Sequence, residues 1–141
     1  ITDAEGRLLL VRDAASGTWC TVGGMVEPDE RPDTAARREA EEEIGTPITD
    51  LELLGAYGGP GYRVTYANGD QASYVCIAYR ATVTSRPRPD MDEVCEVAWF
   101  HPHELATLPL SPLNHHLLAD LGYPVGPLPA GGGSDSGGPT G

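Results

Sequence analysis

A chain of 141 residues has room for one hydrophobic core, and its 40% hydrophobic content is ordinary for a globular domain. No run approaches the roughly 18 to 20 consecutive apolar residues that a membrane-spanning helix needs. The net charge is −12, from 21 acidic and 9 basic residues. This balance argues against a polymeric nucleic-acid partner, which would call for a basic patch, and favours divalent cations as ligands.

Turn chemistry at Asp3 to Gly6 precedes an apolar run that predicts a strand over Arg7 to Arg12. The chain opens on Ile1 as though inside a strand, and without Met or a signal peptide. A trimmed N-terminus, with a preceding hairpin strand, is therefore expected. A short strand follows at Thr18 to Val22, ended by Gly23 and Gly24. Pro32 suits a first helical position, Asp33 the positive end of the helix dipole and Gly45 the stop, so a helix is predicted over Pro32 to Ile44. Strands are predicted over Leu51 to Tyr57, Tyr62 to Tyr66, Ser73 to Val83 and Val94 to Phe100. Asn68-Gly69 supplies the hairpin turn between the second and third of these. Ser111 and Pro112 open a second helix running to about Leu121. This element order predicts a layered α/β (α+β) domain over residues 1–125. Residues 126–141, rich in Gly, Pro and Ser, are expected to be a disordered tail.

Cys20, Cys76 and Cys95 are odd in number and lack metal-ligand spacing. They are expected to be buried thiols in a reducing cytosol, which gives a cytoplasmic assignment. His101, His103, His115 and His116 come late and without a partnering nucleophile, so zinc is not expected.

The chemistry concentrates between Gly24 and Thr46. A run of glutamates is usually a solvated helix face. At ~100° per residue, however, Glu39, Glu42 and Glu43 share an arc of about 100°, beside an apolar strip of Ala36, Ala40 and Ile44. Glu41 and Arg37 point away. Three clustered carboxylates need a positive charge among them, and Mg²⁺ or Mn²⁺, which pairs carboxylates with substrate phosphates, suits the need. The Gly23-Gly24 pair lets backbone approach an ion or phosphate closely.

Gly24, Glu30, Arg38, Glu39, Glu42, Glu43 and Gly45 fill the pattern GX5EX7REXXEEXG, and in this the sequence resembles the Nudix hydrolases (MutT-like). Seven fixed residues would coincide by chance on the order of once in a million chains of this size. The resemblance extends loosely over about residues 1 to 121, through DAEGRLLLVRD, TWCTVGG and DEVCEVAWFHPHEL. It departs from the family at Val22, often Pro, at Asp29, often Gly, and at Ala40 and Thr46, where aliphatic residues are preferred.

The resemblance implies the Nudix fold, a mixed β-sheet sandwiched between α-helices. It further implies divalent-metal-dependent attack of water on the diphosphate linkage of a nucleoside diphosphate joined to another group. The substrate would be a nucleoside triphosphate, a nucleotide sugar such as ADP-ribose, or a dinucleotide. Glu42 and Glu43 would be metal ligands, Glu39 a ligand or the base, and the Gly23 carbonyl a further ligand. Arg38 and Glu30 would brace the loop, with Arg38 equally able to take a catalytic part. Glu93 is the first candidate for an acidic ligand or base outside the motif, ahead of Asp92 and Glu96. Tyr62, Tyr66 and Tyr74 are candidates for stacking on a base, although core or cross-strand roles fit them better. Pro60 lies where ADP-ribose-type members carry a Pro, but a GGPG turn accounts for it equally well. The competing reading is a catalytically silent nucleotide sensor, and the intact set of carboxylates favours the enzyme. A homodimer is left open.

Overall fold

The computed structural model describes residues 1–128. Its elements in chain order are β1 (Leu8–Asp13), β2 (Trp19–Cys20), α1 (Pro32–Ile44), β3 (Ile48–Tyr57), β4 (Arg63–Thr65), β5 (Gln71–Ser73), β6 (Cys76–Val83) and β7 (Val94–Phe100). A 3₁₀ turn (Pro102–Thr107) and α2 (Pro112–Asp120) follow. The strands pair as β2-β1-β7, β3-β6 and β4-β5, all antiparallel, with one isolated parallel bridge between Trp19 and Leu110.

β1 is the centre of the fold because both of its faces are buried. Leu9 and Val11 pack with Ala40 and Ile44 of α1, together with Ile48, Ala81 and Val94. Leu8 and Leu10 face the other way, onto Trp19, Leu105, Leu110 and Leu118. A strand covered on both faces reads as a continuous apolar run, as Leu8 to Val11 does. The result is an α+β fold with the sheet between α1 and α2. A third cluster, of Tyr62, Val64, Leu113 and Leu117, joins the β4–β5 hairpin to α2.

Two expectations need correction. The strand expected over Ser73 to Val83 is broken at Tyr74 and Val75, since β5 pairs with β4 and β6 with β3. The thiols are free, but only Cys20 is buried. Cys76 is half-buried and Cys95 exposed, because Cys95 follows inward-facing Val94 on β7 and so points outward. Ile1 and Thr2 themselves lie antiparallel to the start of β1, with the Leu9 N–H donating to the Ile1 carbonyl at 2.9 Å. The tail expected over 126–141 lies, from residue 129 on, outside the described residues. Among the described residues, no helix is long and apolar enough to cross a membrane.

Candidate active site

α1 begins at Pro32, with Asp33 in its first turn, and stops at Gly45, whose φ of 64° is the left-handed conformation that ends helices. The loop leading into it is held from both ends. Upstream, the carboxamide oxygen of the buried Asn114 accepts from the Thr21 N–H at 2.9 Å and the Thr21 hydroxyl at 2.7 Å, which fixes the chain just before Gly23-Gly24. Downstream, the Arg38 guanidinium donates to Glu30 through Nε (2.8 Å) and Nη2 (2.9 Å), and Nη2 also reaches the Met25 carbonyl at 2.9 Å. Glu30 Oε1 in turn accepts from the Glu27 N–H at 3.0 Å. Asp29 has φ 64°. The slot demands the left-handed region, and Asp is among the few side chains that tolerate it.

The glutamate arc divides more sharply than helical spacing alone indicates. Glu43 is only 2% exposed and lies on the buried side with Ala35, Ala40 and Ile44, whereas Ala36 is half-buried. Its carboxyl hydrogen-bonds to that of Glu39 and accepts from the Gly23 backbone, yet its Oε1 has no hydrogen-bond partner. Burial first, then the charge of Glu39, pushes the Glu43 carboxyl up to about 9. Glu39 packs so tightly on Gly24 that a β-carbon there would displace its carboxylate. Glu42, by contrast, has a side chain 57% exposed and turns to Arg38 Nη1 at 3.3 Å. Arg38 Nη1 also holds Glu39 Oε1 at 3.0 Å. The expected convergence of three carboxylates is thus only partial. Glu42 stays on the rim, and one guanidinium offsets part of the shared charge. Accordingly, among the described residues no three acidic or His/Cys side chains already form a metal-holding set.

Glu93 lies on the exposed segment leading into β7. Its carboxyl is raised above the ordinary value by desolvation, then by the charges of Asp90, Glu39, Asp92 and Glu42, so it shares the field of the α1 glutamates. Glu96 is drawn away by an ion pair with Arg12 at 3.4 Å. Asp92 sits on the exposed turn before Glu93. Glu41 is exposed, as the helical count requires. Tyr62 is buried in the core and donates to Asp120 at 2.7 Å, and the Tyr66 and Tyr74 hydroxyls bond to each other. The core and cross-strand roles therefore hold for these tyrosines. Pro60 lies in an exposed turn.

Sequence reasoning missed Glu27 and Met25 as parts of the Arg38 network. It also missed a cleft of about 580 Å³ that begins at Gly23, Gly24, Met25 and Val26 and is walled by Tyr57, Val75, Ile77 and Tyr79. The wall comes from strands far away in sequence, and no local pattern marks it.

An unpartnered oxygen on a buried carboxylate, beside a second carboxylate and two more at the rim, is a donor set suited to a hard divalent cation. Arg38→Lys is expected to lower kcat/KM by about 10- to 100-fold, because one ammonium cannot serve Glu30, Glu39, Glu42 and Met25 together. A pH signature accompanies it. Hydrogen bonds from Arg38 and from the Glu27 backbone hold Glu30 down at about 2, so its stabilising contribution is present above about 4.5 and is lost as pH falls toward 2. The stability gap between wild type and Arg38→Lys should close over that window in acid denaturation. A gap independent of pH would show that Glu30 is not the partner.

Comparison with known proteins agrees with this geometry. A family model described as NUDIX domain matches residues 1–121. The chain is 37% identical over 113 residues to an isopentenyl-diphosphate Delta-isomerase of Agromyces mediolanus, covering 76% of this chain and 54% of that protein. It is 33% identical over 111 residues to the nucleoside triphosphatase NudI of Salmonella schwarzengrund, covering 77% and 79%. Among solved structures, a MutT NUDIX hydrolase from Burkholderia pseudomallei superposes with a TM-score of 0.69 at 28% identity, over 84% of this chain and 90% of that one. The chain spans little more than half the length of several curated relatives it matches.

Proposed function

The chain belongs to the Nudix family, and from that premise we propose that it is a divalent-cation-dependent hydrolase of the diphosphate linkage in a nucleotide-type substrate. The observation that carries this reading is the buried Glu43 carboxyl with its unpartnered oxygen, set against Glu39 where the Gly23-Gly24 loop opens onto the cleft. Glu42 and Glu43 would hold the cation, Mg²⁺ or Mn²⁺, with Glu39 as a further ligand or as base and the Gly23 carbonyl completing the shell. When bound, the cation supplies charge neutralisation on the phosphate oxygens and acidifies water. The protein does the rest. Arg38 and Glu30 keep the loop in register, Glu93 would add a further ligand or take a proton from water, and the cleft seats the part of the substrate beyond the phosphates.

The test is incubation of the chain with Mg²⁺ or Mn²⁺ and a panel of nucleoside triphosphates, nucleotide sugars and dinucleotides, following release of nucleoside monophosphate, phosphate or pyrophosphate. Isopentenyl diphosphate joins the panel, with its isomerisation followed alongside phosphate release, since a relative at 37% identity is named as its isomerase and the cleft is lined largely by aliphatic side chains. Hydrolysis of one nucleotide class supports the proposal. Binding of nucleotides without turnover of any would favour the sensor reading instead.

A further inference from the structure

Residues 84–93, between β6 and β7, run as a strap over the C-terminal end of α1. The last carbonyls of a helix have no donors within it, and the strap supplies them: the Arg88 N–H donates to the Ile44 carbonyl at 2.9 Å and the Asp90 N–H to the Glu43 carbonyl at 3.2 Å. Just upstream, the Ser85 hydroxyl bonds to that of Thr46, which is fully buried. The buried Thr46 hydroxyl thus has its partner on the strap.

The strap then reverses direction. Met91 adopts φ 68°, and its N–H donates to the Val94 carbonyl at 2.9 Å. Inside this reversal the Asp90 carboxylate oxygen Oδ1 accepts from both the Asp92 N–H and the Val94 N–H, each at 2.9 Å. Glu93 lies between those two amides, and its own carbonyl accepts from the Ala14 N–H of the β1 turn at 2.8 Å. Its backbone is therefore fixed on both sides, and Asp90 ties it to the carbonyl of Glu43, a residue of the carboxylate cluster.

We propose that Asp90 is a positioning residue whose carboxylate fixes the reversal of the strap and so sets Glu93 against Glu39, Glu42 and Glu43. This rests on the hydrolase reading above, in which Glu93 acts at that cluster. Asp90 touches no reacting atom. It acts through Glu93, and that dependence is measurable.

The experiment compares wild type, Asp90→Ala, Glu93→Gln and the double variant, each checked for its thermal midpoint. Measurements are kcat and KM on the substrate found in the panel, and Mn²⁺ affinity by electron paramagnetic resonance. Asp90→Ala is expected to lower kcat by about 10- to 100-fold with little change in KM. In the Glu93→Gln background it should cost no more than about 2-fold, because the residue it positions has already been removed. Asp90→Asn, which keeps the Oδ1 acceptor, should retain most of the activity. Asp90→Glu, with its acceptor displaced by one methylene, replaces Asp90→Ala should the latter not fold. Multiplicative losses in the double variant would overturn the proposal, and so would an unchanged kcat in Asp90→Ala. If wild type turns over nothing in the panel, the hydrolase reading fails by itself. The same cycle on Mn²⁺ affinity then decides: non-additive weakening supports the positioning role, while additive weakening, or no effect of either change, overturns it.

Discussion

Glu43→Gln is expected to abolish turnover while raising the thermal midpoint of the metal-free protein at pH 8. The two effects share one cause. The Glu43 carboxyl is buried against Glu39 and raised to about 9 from an ordinary 4.5. A group raised on folding contributes stability that is complete below about 4.5 and is lost as pH climbs toward 9, since the folded state resists a charge the unfolded chain accepts freely. Each pH unit inside that window costs at most about 1.4 kcal/mol, and sharing of the proton with Glu39 reduces the sum, leaving a few kcal/mol at pH 8. Glutamine has the same shape and no charge, and its amide can donate to Glu39. The midpoint should rise on the order of 10 °C. Mg²⁺ should raise the midpoint of wild type but not that of the variant, and turnover should fall by at least about 100-fold. A variant no more stable than wild type in metal-free buffer at pH 8 would show that Glu43 carries no stored charge cost.

The contrast between Glu42→Gln and Glu41→Gln is the second large effect. Both side chains are exposed, so neither change should shift stability by more than about 0.5 kcal/mol. They differ in direction: Glu42 stands with Arg38 and the cluster, and Glu41 faces solvent. Glu42→Gln should cost about 100-fold or more in kcat, whereas Glu41→Gln should stay within about 2-fold. Steady-state assays with the fold verified by circular dichroism suffice. Equal losses would mean that exposure at this end of α1 does not separate chemistry from solvation.

The limits of α1 were legible because its ends carry punctuation, Pro32 at the start and Gly45 at the stop, that acts within one turn. β7 was legible for a related reason, as an apolar run bounded by turn residues. The break at Tyr74 and Val75 was not, since a strand's pairing partner is a tertiary fact and the residues on both sides of the break have strand composition. In the site, helical spacing placed Glu39, Glu42 and Glu43 on one arc. How deep each sits depends on how α1 packs on β1 and β6, and that packing buries Glu43 and leaves Glu42 exposed. Asp90 gave no signal at all, because its carboxylate bonds to backbone amides two and four residues ahead and any polar loop could contain it.

The two-sided burial of β1 has a consequence for how the chain finds its alignment. In a strand with one wet face, a slip of one residue puts polar groups into the core, and polarity enforces the register. Leu8 to Val11 offers that penalty only at its ends, since the four apolar side chains can exchange slots while Arg7 or Arg12 would enter a buried one. Alignment must therefore come from the strand's end. There the pairing with β7 shifts between Arg12 and Asp13, and the Asp13 carboxylate holds the Ser16 amide and hydroxyl, each at 2.7 Å. The polar turn at residues 13–16 is the pin that sets where every leucine of β1 falls, and with it the seat of α1 and its glutamates.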